Sequence, residues 1–283
     1  MLETVLEPAA LDGEINRPAH LMAAMRHGAL NGGKRLRPFL LIETARLLGA
    51  PQEAALRVAV ALECIHCYSL IHDDLPAMDD DDLRRGQPTV HVAFDEATAI
   101  LAGDALLTLA FDILSAPETR LPPQTKLDLV NHLARAAGAG GMVGGQALDL
   151  LAETAPPDEA GIVRLQAMKT GALLRYACAA GAITAGADAD DVARMTRFGE
   201  IAGLAFQLAD DLLDVTSNAA AMGKATGKDA ARGKGTLVSV HGIEATRQRL
   251  DGLVEEATTL LEPFGPKARM LTDAARFVAQ RDR

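Results

Sequence analysis

The sequence predicts an all-α protein, and two observations lead to that prediction. Hydrophobic residues make up 49% of the 283-residue chain, yet aromatic residues make up only 3% and tryptophan is absent. The apolar content is therefore mainly alanine and leucine, which favours helix over strand. Apolar residues also recur at helical spacing along most of the chain, whereas the alternation typical of strands is essentially absent.

Nine helical patterns are separated by credible loops. The loops contain Gly32-Gly33, Gly49-Ala50-Pro51, the proline pairs at 122–123 and 156–157, and a segment rich in glycine and lysine at 223–235. Nothing in the chain has the composition of a linker, so we expect one large helical domain over residues 1–283. The predicted helices span about 17–30, 37–48, 52–75, 95–114, 125–139, 160–185, 190–214, 243–262 and 266–280.

Charge and composition exclude several classes of protein. A formal net charge of −10 is unfavourable for nucleic-acid binding, which requires an excess of lysine and arginine. The N-terminus is acidic and lacks the apolar run of a signal peptide. The apolar window 99–114 contains Asp104 and Asp112, so it falls short of the roughly 20 uncharged residues of a membrane span. Cys64 and Cys67 lie in an apolar helical pattern, as expected of buried thiols in a reducing cytoplasm.

A run of acidic residues follows the helix predicted over 52–75. It comprises Asp73, Asp74, Asp79 and residues 80–82. So many carboxylates cannot all stay ionised in a partly buried place without cations, and an all-oxygen ligand set selects hard ions such as Mg²⁺. At about 100° per residue, Asp73 and Asp79 would not share a helical face, so the helix must deform, and Pro76 supplies a reason. Taken alone, the run also fits a solvated helix end.

A second acidic group ends the helix predicted over 190–214. Asp210 and Asp214 are four residues apart and about 40° out of register on one helical face, with Asp211 beside them. Like charges at that spacing repel each other. The preceding residues 201–209 are apolar, so a surface role explains the group poorly. Two such groups in one chain predict two metal clamps that face each other.

The basic residues indicate the class of substrate. They cluster at 34–37, at Arg84-Arg85 and between Lys224 and Lys234, each close to glycine. Hard cations held by one or two carboxylates usually complete their shell with substrate phosphates, and separate Lys and Arg groups offer an anion site without metal. We therefore expect two phosphorylated ligands above an apolar pocket wall.

The ordered set of motifs resembles the trans-polyprenyl diphosphate synthases and is most similar to their bacterial farnesyl diphosphate synthase branch. The resemblance runs from about residue 28 to residue 242 and implies a helical bundle of the isoprenoid synthase type with a central apolar cavity. It is carried by these features: Gly-Gly-Lys34-Arg35-Leu-Arg37-Pro, His66 seven residues before Asp73, Arg84-Arg85-Gly after the first acidic run, Gly145-Gln146, Lys169-Thr170, Gln207 before Asp210-Asp211, and the lysines from Lys224 to Lys234.

The resemblance also implies roles for individual residues. Isopentenyl diphosphate is expected at Lys34, Arg37, His66 and Arg85. The allylic diphosphate is expected at Arg84, Lys169, Thr170, Gln207, Lys224 and Lys234. Asp73, Asp79 and Asp210 are the expected direct ligands of Mg²⁺, supported by Asp74, Asp211 and Asp214, with three ions in all and Mn²⁺ as a substitute. One departure is that no proline follows Lys234 closely, which leaves its role open.

The implied reaction is a head-to-tail condensation of isopentenyl diphosphate with dimethylallyl or geranyl diphosphate, in a cytoplasmic homodimer, to give farnesyl diphosphate. Tyr68 precedes Asp73 by five residues and so lies about 7.5 Å along the helix axis from the metal-bound head group. We expect its ring to stop the growing tail, as an aromatic residue does in fifteen-carbon synthases.

Other activities fit the sequence less well. A geranyl or geranylgeranyl diphosphate synthase differs only in product length. A class I terpene cyclase shares the acidic motifs but has no use for Lys34, Arg37 and Arg85. A non-catalytic acidic scaffold or ion buffer would not require the placed basic residues.

Overall fold

The computed structural model describes residues 1–220 and 237–280, except for the side chains of residues 217–220. The described part is helical apart from one two-stranded ribbon, so the all-α prediction is confirmed.

The described elements include two segments that are not α-helical in their hydrogen bonding. A π-helical segment spans Ala167–Gly171, and a 3₁₀ segment spans Glu262–Ala268. The helices are α1 (Leu2–Val5), α2 (Ala19–Leu30), α3 (Leu36–Leu47), α4 (Gln52–Asp73), α5 (Val90–Ala93), α6 (Glu96–Ser115), α7 (Pro123–Ala137), α8 (Met142–Ala152), α9 (Glu159–Gln166), α10 (Ala172–Thr184), α11 (Ala189–Ala220), α12 (Leu237–His241), α13 (Ile243–Leu261) and α14 (Arg269–Gln280).

Helix α4 lies at the centre of the bundle. It packs against α3, α6 and α10, and most of its residues are buried. Fully buried side chains such as Leu62, Ile65, Leu106, Leu173 and Phe198 join these helices in one apolar cluster. Each buried methylene contributes about 0.8 kcal/mol, so α4 is held mainly by its apolar surface. The C-terminal end of this rigid helix carries the first acidic motif.

Two described helices, α4 and α6, are long and apolar enough to cross a membrane by length and composition alone. This differs from the expectation that no segment would come close. The relevant window of α4 is 72% buried, as befits a core helix, whereas that of α6 is only 39% buried. Helix α6 therefore leaves an apolar face uncovered.

The helix deformation predicted near Pro76 is confirmed. Helix α4 ends at Asp73, and the following loop turns back so that the Asp79 backbone N–H donates to the Asp73 carbonyl at 2.8 Å. The loop then forms an antiparallel ribbon, β1 (Leu83–Arg84) with β2 (Gln87–Pro88). The joining residues Arg85 and Gly86 both have positive φ, 55° and 77°, as a tight hairpin turn requires. Strands of two residues are too short to show alternation in the sequence.

Three helix predictions need correction. The helix predicted over 160–185 is interrupted, because the π segment separates α9 from α10. The helix predicted over 190–214 continues to Ala220. Helix α8 was not predicted, because Gly144 and Gly145 lower its helix propensity.

Close packing explains the glycine at position 145. A Cβ there would lie 2.2 Å from the Lys169 backbone nitrogen, so only glycine lets α8 approach the π segment. Gly252, inside α13, has no atom within 4 Å of its would-be Cβ.

Substituting these two glycines should therefore have opposite effects on stability. We expect Gly145→Ala to lower the free energy of unfolding by about 1–3 kcal/mol, because the new methyl group overpacks a backbone contact. Gly252→Ala should raise it by about 0.5–1 kcal/mol through helix propensity. Urea unfolding followed by circular dichroism measures both, and a stabilised Gly145→Ala variant would contradict the packing account.

Candidate active site

A cavity of about 370 Å³ opens between α4, α8 and the π segment. Apolar side chains of α8, among them Val143 and Leu150, form one wall. Six of the predicted site residues line it: Arg37, His66, Tyr68, Asp73, Lys169 and Thr170. The fold thus brings to one cavity residues that the sequence separates by more than a hundred positions.

Asp73 forms the acidic end of the cavity. The pKa of its carboxyl group is raised to about 6, chiefly by burial and also by the charges of Asp79 and Asp74, although Lys169 and Arg84 oppose the rise. The backbone hydrogen bond from Asp79 keeps the two acids of the loop close to each other. An ionised Asp73 is therefore unfavourable here until a cation is present.

Asp74 has a different environment from Asp73. It is 3% exposed. Arg84 Nε donates to Oδ1 at 2.7 Å and to Oδ2 at 2.9 Å, and Arg84 Nη2 donates to Oδ1 at 2.5 Å. Burial raises the pKa of Asp74, and this hydrogen bond opposes the rise. The guanidinium thus neutralises Asp74 and ties the β1 strand to the end of α4.

The second acidic motif lies on α11. Asp211 is buried and accepts a hydrogen bond from Gln166 Nε2 at 3.1 Å, whereas Asp210 is half-buried and Asp214 is exposed. Gln166 is the last residue before the π segment. This contact joins the second acidic motif to the segment that carries Lys169.

Arg37 and His66 form the cationic end. Arg37 Nη1 lies 3.4 Å from His66 Nε2. Burial lowers the pKa of Arg37 to about 10, with the charge of Glu63 opposing the fall. Burial, then Arg37 and Arg85, hold the pKa of His66 well below its usual range, so His66 is neutral at pH 7.

Arg85 reaches back over the loop before α3. Its Nη1 donates to the Gly32 carbonyl and lies 3.4 Å from Asn31 Oδ1. Gly33 has a φ of 110°, which a residue with a Cβ adopts only with strain, so glycine is favoured at that position. Lys34 follows in the same loop and is exposed. Arg85 therefore contacts the loop that leads into the first basic cluster.

Lys169 is held at the cavity by an acid that the sequence did not single out. Its Nζ lies 2.6 Å from Asp149 Oδ2 on α8. The π turn at Ala167–Gly171 places an irregular backbone at the cavity wall, and such turns are frequent at functional sites. Thr170 follows Lys169 in this turn and also lines the cavity.

Tyr68 and Ser69 line the cavity wall one helical turn below Asp73. The Tyr68 ring packs edge-on against His72 with centroids 5.8 Å apart. Burial, then the charge of Asp73, raises the pKa of Tyr68 to about 12. The phenol is therefore neutral and held in place by packing.

Some residues of the predicted motifs lie outside the main cavity, lie outside the described residues, or had no predicted role. Gln207 does not line the main cavity but a second one of about 360 Å³ on the other side of the π segment, together with Gln166. Lys224 and Lys234 lie outside the described residues. Gln146 lines the main cavity and is 9% exposed, and its amide atoms have no hydrogen-bond partner among the described residues. Its motif was noticed in the sequence, but its buried amide could not be foreseen.

The donor set fits hard divalent ions that complete their shells with ligand oxygens. No group of three or more acidic, histidine or cysteine residues converges on one point within residues 1–216 and 237–280. Asp73 is nevertheless half-buried beside two other carboxylates, and its raised pKa shows that its charge is unfavourable there. Mg²⁺ is commonly held by one or two carboxylates together with phosphate oxygens and water, which matches this arrangement.

An acidic motif and buried cations at one apolar cavity of an all-helical bundle are the features of an isoprenoid synthase. The sequence pattern of the family described as Polyprenyl synthetase matches residues 18–262, and the chain belongs to that family. The activities of its curated relatives show that it is a prenyltransferase.

Curated relatives cover nearly the whole chain. Farnesyl diphosphate synthase of Escherichia coli K12 is 44% identical over 93% of this chain and 90% of the relative. Farnesyl diphosphate synthase of Geobacillus stearothermophilus is 42% identical, covering 94% and 90% respectively. Geranylgeranyl pyrophosphate synthase 9 of Arabidopsis thaliana is 41% identical, covering 96% and 78%. The family likeness therefore leaves the product length to be argued from the cavity.

Solved structures agree with the fold. An FPP/GFPP synthase of Zymomonas mobilis, crystallised in the apo state, superimposes with a TM-score of 0.87 at 45% identity, covering 98% of this chain and 93% of that one. A putative farnesyl-diphosphate synthase of Marinomonas superimposes with a TM-score of 0.83 at 38% identity, covering 99% and 93%.

The raised pKa of Asp73 makes the stability of the metal-free protein depend on pH. The folded state keeps the Asp73 proton up to about pH 6, whereas the unfolded chain loses it near the ordinary value of about 3.9. Stability therefore falls as pH rises from about 4 to above 6. The Asn side chain of Asp73→Asn is neutral in both states. The free energy of unfolding of this variant should therefore exceed that of the wild type by about 1–3 kcal/mol at pH 8 and equal it at pH 4.

Thermal unfolding in EDTA at these two pH values measures the difference. Asp251→Asn, at an exposed position of α13, is the matched control and should change little at either pH. An Asp73→Asn variant that was equally or less stable than the wild type at pH 8 would show that Asp73 is compensated in the metal-free protein.

Proposed function

We propose that the protein condenses isopentenyl diphosphate with dimethylallyl or geranyl diphosphate to give farnesyl diphosphate and diphosphate, with Mg²⁺ as cofactor. The single observation that carries the proposal is the cavity of about 370 Å³ with Arg37 and His66 at one end, Asp73 and Lys169 at the other, and apolar walls between them. Two diphosphate head groups suit the two polar ends of the cavity, and one apolar tail suits the walls between them.

Each substrate has its own set of side chains in this proposal. Arg37, His66, Arg85 and Lys34 bind the diphosphate of isopentenyl diphosphate through charge-assisted and neutral hydrogen bonds. Lys169 and Thr170 bind the allylic diphosphate, with Lys224 and Lys234 in the same assigned role. Arg84 acts through Asp74, whose charge it neutralises. Gln207 reaches the allylic substrate only by turning from the second cavity.

The reaction begins when the allylic carbon–oxygen bond ionises. Asp73, Asp79 and Asp210, with Asp74, Asp211 and Asp214 in support, would hold Mg²⁺, which would supply positive charge to stabilise the departing diphosphate. Lys169 donates hydrogen bonds to the same oxygens. Charge on the leaving group is thus stabilised in the transition state more than in the bound substrate, which is what accelerates the step.

The remaining steps depend on the apolar walls. The alkene of isopentenyl diphosphate attacks the allylic cation, and a proton is then lost. Val143, Leu150 and Met78 keep water away from the cation. His66 stays neutral beside Arg37 and is a poor acceptor there, so we assign the proton to the released diphosphate.

The decisive test combines the protein with Mg²⁺, geranyl diphosphate and isopentenyl diphosphate and measures released diphosphate. We expect release that depends on both substrates, is lost in EDTA, and falls by two or more orders of magnitude in Asp73→Ala and Asp210→Ala. Release from geranyl diphosphate alone would indicate a terpene cyclase. Full activity in EDTA would contradict the metal assignment.

Product length is assigned to Tyr68. The side chain is 6% exposed, lines the cavity below Asp73, and is wedged against His72. A tail that grows from a head group at Asp73 runs down α4 and meets this ring. The neighbouring Ser69 is too small to block it.

Shortening Tyr68 should lengthen the product. We expect Tyr68→Ala to make products of twenty carbons or more with a modest loss of rate, whereas Tyr68→Phe, which keeps the ring, should still stop at fifteen. Ser69→Ala is the neighbouring control and should also give fifteen carbons. Chromatography of the dephosphorylated products decides, and an unchanged fifteen-carbon peak from Tyr68→Ala would remove the assignment.

We also propose that two copies associate through α6 and that the enzyme works in the cytoplasm. Ile100 and Leu101 of α6 are 45% and 56% exposed, and a groove of about 600 Å³ runs beside them between α2 and α6. An isologous contact would cover this apolar face on both copies. The three buried free cysteines suit a reducing compartment.

Light scattering coupled to size-exclusion chromatography tests this assembly. We expect the mass of two chains for the wild type and of one chain for Leu101→Arg, because a charge is costly in a buried apolar contact. Leu127→Arg, at an exposed apolar position of α7, is the control and should leave the mass unchanged. A monomeric wild type would contradict the proposal.

A further inference from the structure

An ion pair between half-buried Arg35 and buried Glu63 lies beneath the loop that carries the first basic cluster. Arg35 immediately precedes α3 and makes three contacts. Its Nη1 donates to Glu63 Oε1 and lies 3.8 Å from Cys67 Sγ, and its Nη2 donates to the Ala29 carbonyl at 2.7 Å. One guanidinium therefore ties together the end of α2, the start of α3 and the middle of α4.

This pair is not arranged for stability alone. Glu63 is 3% exposed, and its second oxygen has no hydrogen-bond partner within the described residues. Arg35 also adopts a left-handed backbone with φ of 49°, which is unfavourable for a residue other than glycine. Buried ion pairs with unsatisfied oxygens are often replaceable by apolar residues without loss of stability. A partly satisfied pair on a strained residue points to another use.

The pair controls where the neighbouring cations lie. Arg37 is two residues beyond Arg35, and His66 is one helical turn beyond Glu63, so both ends of the pair connect directly to the cationic end of the cavity. The Nε of Arg37 is buried and has no partner in the part of the chain that the structure describes. Glu63 and Arg35 are themselves not among the residues that line the cavity, and the contacts of the Arg35 guanidinium are with Glu63, Cys67 and the Ala29 carbonyl.

The charge of Glu63 has a second effect. Arg37, Arg85 and Arg35 are close enough to one another to act together on His66, so they repel each other in a poorly solvated place. The negative charge of Glu63 favours the protonated form of Arg37 and opposes its desolvation. The carboxylate thus allows three guanidinium groups to gather before any anionic ligand arrives.

We propose that Glu63 and Arg35 are positioning residues that preorganise the binding site for the diphosphate of isopentenyl diphosphate, by fixing the loop at residues 31–37 and balancing its charge. This rests on the proposed function only in the identity of the ligand. Preorganisation of this kind increases affinity because the loop is already ordered before the ligand binds, so binding does not carry the entropic cost of ordering it.

Calorimetric titration with isopentenyl diphosphate in EDTA tests the proposal without metal or turnover. We expect Glu63→Gln to weaken binding about tenfold or more, since loss of one charge-assisted contact is of that size. Arg37→Ala should abolish measurable binding. Glu43→Gln is the matched control, because it removes the Glu43–Arg46 ion pair on α3. It should bind isopentenyl diphosphate as the wild type does.

The double variant Arg35→Met/Glu63→Leu separates positioning from stability. It removes both charges of the pair together, so its melting temperature should return toward that of the wild type, while its affinity should remain about tenfold lower. If affinity recovers together with melting temperature, the pair is structural only and the proposal is overturned. The same double variant remains informative should Glu63→Gln fail to fold.

Condensation kinetics distinguish this proposal from the proposed function. Glu63→Gln should raise the apparent KM for isopentenyl diphosphate about tenfold, with kcat and the KM for geranyl diphosphate within about twofold of the wild type. Normal isopentenyl diphosphate affinity in Glu63→Gln, in an enzyme that still condenses, would overturn the positioning role alone. A wild type that binds isopentenyl diphosphate but does not condense it would instead remove the proposed function, and no binding at all by the wild type would overturn both.

Discussion

Desolvation of charge is the constraint on which the rest of this structure depends. Most charged groups near the cavity have a partner of opposite sign, as in Asp74 with Arg84, Lys169 with Asp149, and Glu63 with Arg35. Asp73 and Arg37 face the cavity instead, and burial shifts the pKa of each toward its neutral form. Both groups become more stable when an ion of opposite sign occupies the cavity, so the same desolvation that costs stability favours ligand binding.

The apolar bundle makes this arrangement possible because its helices approach one another closely. A Cβ on Gly103 of α6 would lie 2.0 Å from His72 Nε2, and the His72 ring contacts the Ile100 carbonyl at 3.0 Å. A larger residue in place of Gly103 would displace the turn that ends at Asp73. Small residues in the supporting helices thus determine the position of the carboxylates as directly as the loop does.

The sequence predicted the features that are local. The all-α fold and the deformation after Asp73 follow from spacing and composition, and the structure contains them. Helix α8 was missed because two glycines weaken its pattern, although packing against the π segment stabilises it. Such a tertiary contact has no trace in local propensity.

The partners of the site residues could not be predicted for the same reason. Asp149 and Glu63 read as ordinary helix acids until the fold places them against Lys169 and Arg35. The position of Gln207 in a second cavity depends on how α11 packs against the π segment. The π segment itself was read as regular helix, because a single π turn inside a helix has no residue pattern of its own that marks it.

The extra residue of the π turn has a consequence for changes in the length of the chain. A π turn accommodates one more residue between its hydrogen-bonded groups than an α turn does, so α9 and α10 are out of phase with each other by about 100°. Losing any one of the five residues Ala167–Gly171 would restore a regular helix and rotate every residue of α10 relative to α9. A one-residue change of length within this helix would therefore alter the packing of α10 directly, whereas the same change in a surrounding loop would leave the phase of the helices intact.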